Sequence, residues 1–192
     1  GIRDYVRWLE FRRGSSDLMK SFFLACCLLL ITGYTIAQKH EQGPIKWMTI
    51  QEAFKLQQSK PKKIFIDMYT HWCGWCKKMD ASTFQDSAFA SYMMAHFYPV
   101  KMDAETRDTI IYQGKPYAYK PDYKVNELAA MLLSGQMSYP TSVFLDENEN
   151  VISPVPGFMT AEQMLPILRF FGEDIFKTKT WEDYVKDLQQ AK

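Results

Sequence analysis

The sequence predicts an α/β domain, and three stretches carry that prediction. Residues 64–69 form a short apolar, β-prone run that is typical of a strand buried on both faces. A helical pattern over residues 84–97 leads into a second strand at residues 98–103, which makes a strand–helix–strand crossover. Residues 141–145 form a further strand, and a polar turn connects it to a returning strand at residues 151–153. With 192 residues and 47% hydrophobic content, the chain can bury one good core.

Helix-start signals place the remaining elements. Residues 45–48 are expected to form a first short strand, and Thr49-x-x-Glu52 is a capping box for a helix to about residue 59. Asn126 caps a helix that runs through residue 133. Two further capping patterns predict helices over residues 160–171, with a kink at Pro166, and over residues 180–190.

Prolines restrict the secondary structure that two other segments can form. Residues 113–124 contain two prolines and several tyrosines, which predicts a loop and excludes a helix interior. We expect these tyrosines to cover apolar surface; the alternative is that the loop borders the active site and contacts a partner. Pro154 and Pro156 cannot donate to a strand ladder, so the returning strand is expected at a sheet edge.

A Cys-x-x-Cys pair follows the first buried strand, where a helix is expected to begin. The first turn of a helix has unpaired backbone N–H groups and the positive end of the macrodipole, which stabilise a thiolate. Cys73 therefore has the better position for a nucleophile, and Cys76, one turn later, is close enough to close a disulfide and more enclosed. The pair indicates thiol–disulfide exchange. A structural disulfide and half of a zinc site are the alternatives.

Three features together resemble the thioredoxin-like superfamily. Trp-Cys-Gly-x-Cys-Lys after a buried strand is similar to the active site of that family. Tyr139-Pro140-Thr141 before a strand matches the family's cis-proline, and Asp67, six residues before Cys73, matches its buried acidic residue. The resemblance covers residues 45–171 and extends to exported bacterial members, including the thioredoxin-like domain of thiol–disulfide interchange proteins.

The resemblance implies a thioredoxin-like fold. That fold has a central mixed sheet of four to five strands flanked by helices. This chain adds an extra loop before the cis-Pro strand and an extra C-terminal helix. Trp75 stands where typical thioredoxins have proline. Because the residues between the two cysteines tune the reduction potential, the resemblance leaves the direction of electron flow open.

The resemblance also implies residue roles. Cys73 would be the attacking thiolate, Cys76 the resolving thiol, and Asp67 a buried proton acceptor for Cys76. No cofactor and no metal ion are implied. The residues expected to bind substrate are Trp72 and Trp75 beside the disulfide, and Tyr139 and Pro140 at the cis peptide.

Two further residues near the pair each allow two interpretations. We expect Lys101 to be a surface lysine; the alternative is that it faces Asp67 and tunes that acid. We expect His71 to be an exposed loop histidine; the alternative is that it assists proton movement.

The amino-terminal residues predict export. Residues 1–18 are an upstream extension without an assigned role, and residues 19–37 resemble a signal peptide with an apolar core at 22–31. Residues 38–44 would be a linker, and residues 45–192 the thioredoxin-like domain. The expected location is the periplasm, with a membrane-anchored protein facing the periplasm as the alternative.

The function predicted is that of an exported thiol–disulfide oxidoreductase that uses its Cys-Gly-Trp-Cys pair to reduce or exchange protein disulfides, with the reductase role favoured. Its partners would be a disulfide-containing protein substrate and a membrane or periplasmic redox partner. The net charge of +1 indicates no nucleic-acid partner. Membrane contact is expected only through an uncleaved signal segment. The alternative is a non-catalytic thioredoxin-fold binding module that recruits a protein partner.

Overall fold

The computed structural model describes residues 45–190. The upstream extension, the signal peptide and the linker, together residues 1–44, lie outside the described residues, as do residues 191–192. None of the helices within residues 45–190 combines the length and the apolar character needed to cross a bilayer.

Four strands form the central mixed sheet. They are β1 (Lys63–Tyr69), β2 (Phe97–Asp103), β7 (Thr141–Leu145) and β8 (Val151–Pro156), in the spatial order β2-β1-β7-β8. β1 pairs parallel with β2 and antiparallel with β7, and β8 is antiparallel to β7. This arrangement confirms the predicted fold class. The first strand expected at residues 45–48 is wrong, because only Met48 forms an isolated bridge, with Val100.

Helices cover both faces of this sheet. They are α1 (Ile50–Gln57), α2 (Gly74–Ala81), α3 (Ser87–His96), α4 (Glu127–Leu132), α5 (Ala161–Gly172) and α6 (Trp181–Gln190). Short 3₁₀ turns occupy Thr83–Gln85 and Ile175–Lys177. The capping boxes at Thr49 and Thr160 are both formed, and the Asn126 side chain accepts from the Leu128 N–H. α5 continues as one α-helix through Pro166.

Alternation along β1 divides the core into two clusters. Ile64, Ile66 and Met68 face the cluster formed with α1 and α4. Phe65 faces the opposite cluster, where residues of α2, α3 and α5 pack. Because successive side chains of a strand point to opposite faces, Asp67 lies on the Phe65 side. This places a carboxyl group on the face covered by α2.

The segment before β7 is more structured than the sequence predicted. It contains two small hairpins, which pair β3 (Ile110–Tyr112) with β4 (Lys115–Tyr117) and β5 (Tyr119–Lys120) with β6 (Val125–Asn126). The first hairpin turns at Gln113-Gly114, both with positive φ, as a tight two-residue turn requires. The prediction of a plain loop at 113–124 is therefore wrong. Tyr112 is buried in the core cluster, whereas Tyr123 is exposed.

β8 lies at the sheet edge, as its prolines predicted, but it extends to Pro156 and so is longer than expected. Gly157 donates its N–H to the Pro140 carbonyl oxygen on the β7 side. Because backbone groups alternate along an antiparallel strand, Pro154 and Pro156 point away from β7. The two missing N–H groups are thus on the open edge, where no partner strand needs them.

We predict that one residue anchors the C-terminal helix. Tyr184 of α6 is 7% exposed and packs against Phe170, whereas Leu188 on the same helix is 36% exposed. Tyr184→Ala should lower the free energy of unfolding by about 3 kcal/mol because it removes a buried aromatic ring. Leu188→Ala, the matched control, should cost less than about 1 kcal/mol. Urea unfolding measures both, and equal losses would contradict this anchoring.

Candidate active site

The two cysteines lie where β1 gives way to α2. Cys73 is the N-cap residue of α2, and its Sγ accepts the Cys76 N–H at 3.0 Å. The side chains are joined in a disulfide, with the two Cα atoms 5.3 Å apart. Both residues are buried. The predicted position of the pair at a helix start is confirmed.

The end of β1 also lies beside the proline predicted to be cis. The Tyr139–Pro140 peptide bond is cis, as expected. Met68 pairs with Thr141, so Pro140 immediately precedes the strand that lines the end of β1. The rings of Trp72 and Tyr139 meet edge to face, with centroids 5.8 Å apart. The connection after β1 and the cis-proline turn therefore form one surface.

Asp67 is buried beneath this surface. It is 1% exposed and pairs in the sheet with Lys101 on one side and Ser142 on the other. Burial raises the pKa of the Asp67 carboxyl to about 6, an effect that the nearby Lys101 ammonium opposes. Its Oδ1 atom accepts no hydrogen bond from the described residues. The carboxyl therefore changes protonation state in the range in which a proton acceptor is useful.

Lys101 is not the surface lysine that the sequence predicted. Its Nζ lies 3.1 Å from Asp67 Oδ2 and also contacts Asp80 Oδ1 of α2. The rings of Trp47, Tyr69 and Phe84 surround it, with centroids between 5.0 and 5.7 Å from the ammonium nitrogen. The two carboxylates raise the pKa of Lys101, against the effect of its own burial. It therefore stays charged.

The Lys101 contacts also locate Asp67 relative to the cysteines. Cys76 and Asp80 are four residues apart on α2, so they share one face of that helix. Lys101 joins Asp80 to Asp67. Asp67 therefore lies beneath the face of α2 that carries Cys76.

Two exposed tryptophans flank the disulfide. Trp72 is 66% exposed, and its Nε1 donates to Glu105 Oε1 at 3.0 Å. Trp75 is 57% exposed and packs on Phe158, with ring centroids 5.4 Å apart. Such a pair of large aromatic side chains in solvent is typical of a surface that contacts a partner.

Sequence reasoning missed three residues of this surface. The first two, Glu105 and Phe158, come from loops that follow β2 and β8. The third, Lys78, lies over the Trp75 ring at 4.7 Å. Only Lys78 had a sequence cue, because it lies three residues after Trp75 on a predicted helix.

His71 is exposed, as expected. Its Nε2 lies 3.3 Å from Asp103 Oδ2 at the end of β2. The imidazole is 79% exposed on its side chain, so solvent screens this pair.

This strand–disulfide–helix arrangement with a cis-proline beside it defines a thioredoxin-fold protein. A solved structure titled DsbH Oxidoreductase aligns with a TM-score of 0.52 and 17% identity, covering 73% of this chain and 92% of that one. A thioredoxin-fold protein from Helicobacter pylori aligns with a TM-score of 0.50 and 19% identity, covering 68% and 81%. These similarities establish the fold.

The family follows from the sequence match. A family model named Thioredox_DsbH, described as a protein of unknown function (DUF255), matches residues 32–169, and the chain belongs to this family. The thiol:disulfide interchange protein DsbD of Citrobacter koseri is 24% identical over 176 residues, which is 86% of this chain and 28% of that protein. The chain spans between 9% and 28% of the length of eight curated relatives that it matches.

We predict a pH-dependent stability that arises from Asp67. Its pKa is 3.8 when unperturbed and about 6 in the folded protein, so the folded state retains a proton that the unfolded chain has lost. Stability should therefore fall as the pH rises from about 4 to about 6, by an amount on the order of 3 kcal/mol, and then level off. Urea unfolding of the oxidised protein across this range measures the loss.

Asp67→Asn provides the comparison for this measurement. The amide does not titrate. The difference in the free energy of unfolding between wild type and variant should therefore contain the whole pH-dependent contribution of Asp67. A difference that stays constant between pH 4 and pH 7 would contradict the raised pKa.

Proposed function

We propose that this chain is an exported thiol–disulfide oxidoreductase that reduces or exchanges protein disulfides through Cys73 and Cys76. One observation carries the proposal: the disulfide caps a helix between two exposed tryptophans and above a buried carboxyl group. A purely structural disulfide requires none of these surroundings. Membership of the Thioredox_DsbH family and the similarity to a thiol:disulfide interchange protein support the same chemistry.

The reaction begins with the reduced protein. The Cys73 thiolate attacks one sulfur of a substrate disulfide; the substrate S–S bond breaks, and its second sulfur leaves as a thiolate that takes a proton from solvent. Cys73 is then bonded to the substrate. Next, Cys76 gives its proton to Asp67 and attacks the Cys73 sulfur. The remaining substrate thiolate leaves and is protonated, so the substrate gains two electrons and the protein is oxidised to the Cys73–Cys76 disulfide.

The helix start favours Cys73 as the attacking sulfur. In the oxidised protein its Sγ already receives the Cys76 N–H, and a thiolate at this position would receive the same donor. The positive end of the α2 macrodipole adds to that stabilisation. Cys76 has the resolving role because it lies on the face of α2 that covers Asp67.

Substrate would bind across the tryptophans and the cis-proline turn. Pro140 would hold the backbone of Tyr139 where an extended substrate segment can pair with it. Trp72 would cover the reacting sulfurs on the Tyr139 side, and Trp75 would contact the partner on the other side.

We place the protein in the reducing direction. Asp67 and Asp80 share one lysine, so the group beneath α2 carries a net charge of −1 when both acids are ionised. That charge opposes a thiolate nearby and therefore raises the free energy of the reduced form. A dithiol whose reduced form is less stabilised is the stronger reductant.

The proposed reducing direction and the proposed location outside the cytoplasm imply a redox partner and a protein substrate. A reductase outside the cytoplasm needs a membrane or periplasmic redox partner that returns two electrons to the Cys73–Cys76 pair. We assign residues 19–37 as a signal peptide, residues 38–44 as a linker and residues 45–192 as the thioredoxin-like domain, with residues 1–18 as an upstream extension. The substrate would be a protein that carries a disulfide.

Cysteine variants test the reaction. Wild-type protein supplied with a dithiol should reduce a protein disulfide, and Cys73→Ser should lose at least about a hundredfold in rate because it lacks the attacking thiolate. Cys76→Ser should instead accumulate mixed disulfides that dithiothreitol releases. Absence of wild-type turnover, together with unchanged partner binding by Cys73→Ser, would favour the non-catalytic binding module.

The reduction potential tests the direction. We expect the Cys73–Cys76 couple to lie nearer to about −270 mV, the value of thioredoxin, than to about −120 mV, the value of a strong oxidant. Equilibration with glutathione buffers measures it. Asp67→Asn should shift the potential upward, since it removes a negative charge beneath α2. A wild-type potential above about −195 mV, midway between these two values, would overturn the reductase assignment while leaving the exchange reaction intact.

A further inference from the structure

The surface around the disulfide is electrostatically divided, because Glu105 follows β2 at one edge of the sheet and Phe158 follows β8 at the opposite edge. On one side, Trp72 packs on Tyr139 and its indole N–H is bound by the Glu105 carboxylate. On the other side, Trp75 packs on Phe158 and the Lys78 ammonium lies over both rings, 4.7 and 5.0 Å from their centroids. We call these the acidic rim (Trp72, Tyr139, Glu105) and the basic rim (Trp75, Phe158, Lys78).

The charges of both rims remain open to a partner. Within residues 45–190, neither Glu105 nor Lys78 forms a salt bridge with another side chain. Lys78 is exposed and Glu105 is half-buried. Asp103, two residues before Glu105, adds a second carboxylate near the acidic rim and is paired with exposed His71.

The aromatic rings hold these charges in place. An ammonium group over two ring faces is attracted by their quadrupoles, and a carboxylate that accepts an indole N–H is fixed by that hydrogen bond. A charged side chain that is already positioned loses less conformational entropy when it pairs with a ligand. Each rim therefore combines an apolar contact area with a preorganised charge of one sign.

From this division we infer that the site selects disulfide-bonded segments with opposite charges on the two sides of the reacting cysteine. A basic side chain contacts Glu105 at the acidic rim, and an acidic side chain contacts Lys78 at the basic rim. The inference rests on the proposed function, because it requires the substrate cysteine to lie over Cys73. It adds a preferred charge order along the substrate chain.

Short peptide disulfides test this preference. Three peptides share one design: a central cysteine, bonded as a disulfide to 2-mercaptoethanol, with a glycine on each side and one outer residue beyond each glycine. The outer residues are Lys then Glu, Glu then Lys, or two Gln. Reduced protein is mixed with each peptide, and the single-turnover rate constant is measured at low salt. One charge order should react about 3- to 10-fold faster than both the reverse order and the neutral peptide, as expected for two exposed ion pairs.

Variants assign the preference to the rims. Lys78→Glu should reduce the ratio between the two charge orders to about 1 or below, because it replaces attraction with repulsion. Lys77→Glu is the matched control: it makes the same charge change at an exposed neighbour whose ammonium lies over no aromatic ring within residues 45–190, and it should keep most of the ratio. Glu105→Gln keeps an acceptor for the Trp72 N–H and should lower the ratio from the acidic side.

The outcomes separate this inference from the function on which it rests. If wild-type protein does not react with the neutral peptide, the proposed oxidoreductase function fails. If the neutral peptide reacts but the two charge orders react equally fast, the charge selection is overturned and the oxidoreductase stands. Equal effects of Lys77→Glu and Lys78→Glu would also overturn it, since they would show a general charge effect.

Discussion

A single ammonium group connects the sheet to the helix that carries the cysteines. Lys101 of β2 contacts Asp67 in the centre of β1 and Asp80 on α2, inside a ring of three aromatic side chains. Without this cation, burial alone would keep the Asp67 carboxyl protonated to a higher pH. The same contacts hold the Cys76 face of α2 above that carboxyl group. The position of this carboxyl group and its protonation state therefore depend on one interaction.

Much of this arrangement can be predicted from short stretches of sequence. The buried strand and the cysteine pair at a helix start each depend on a few neighbouring residues. The cis-proline is expected instead from the resemblance to the thioredoxin-like superfamily. The position of Lys101 depends instead on how β2 pairs with β1, since a shift of one residue would turn its side chain to the other face. Glu105 and Phe158 reach the surface from loops, where no periodic pattern indicates a direction.

The segment before β7 shows another kind of structure that the sequence does not predict. Pro116 and Pro121 correctly indicated that this segment is not a helix, but the sequence did not predict its two hairpins. Pro116 is tolerated within β4 because the pair β3–β4 has only two strands and thus leaves one edge of β4 unpaired. Gln113-Gly114 provides the tight turn. Strand pairing of two or three residues is too short to produce a recognisable alternation, so only the folded chain reveals it.

The two prolines of β8 determine whether another chain can pair with the open edge of the sheet. In the proposed function the protein meets substrate chains, whose free backbone would readily add to any open sheet margin. At Pro154 and Pro156 that margin offers carbonyl oxygens without amide hydrogens, so an incoming chain finds only half of the bonds it needs. Under the proposed function, substrate chains would thereby be kept from accumulating along this edge, and the cis-proline turn would be left as the place where their backbone can bind.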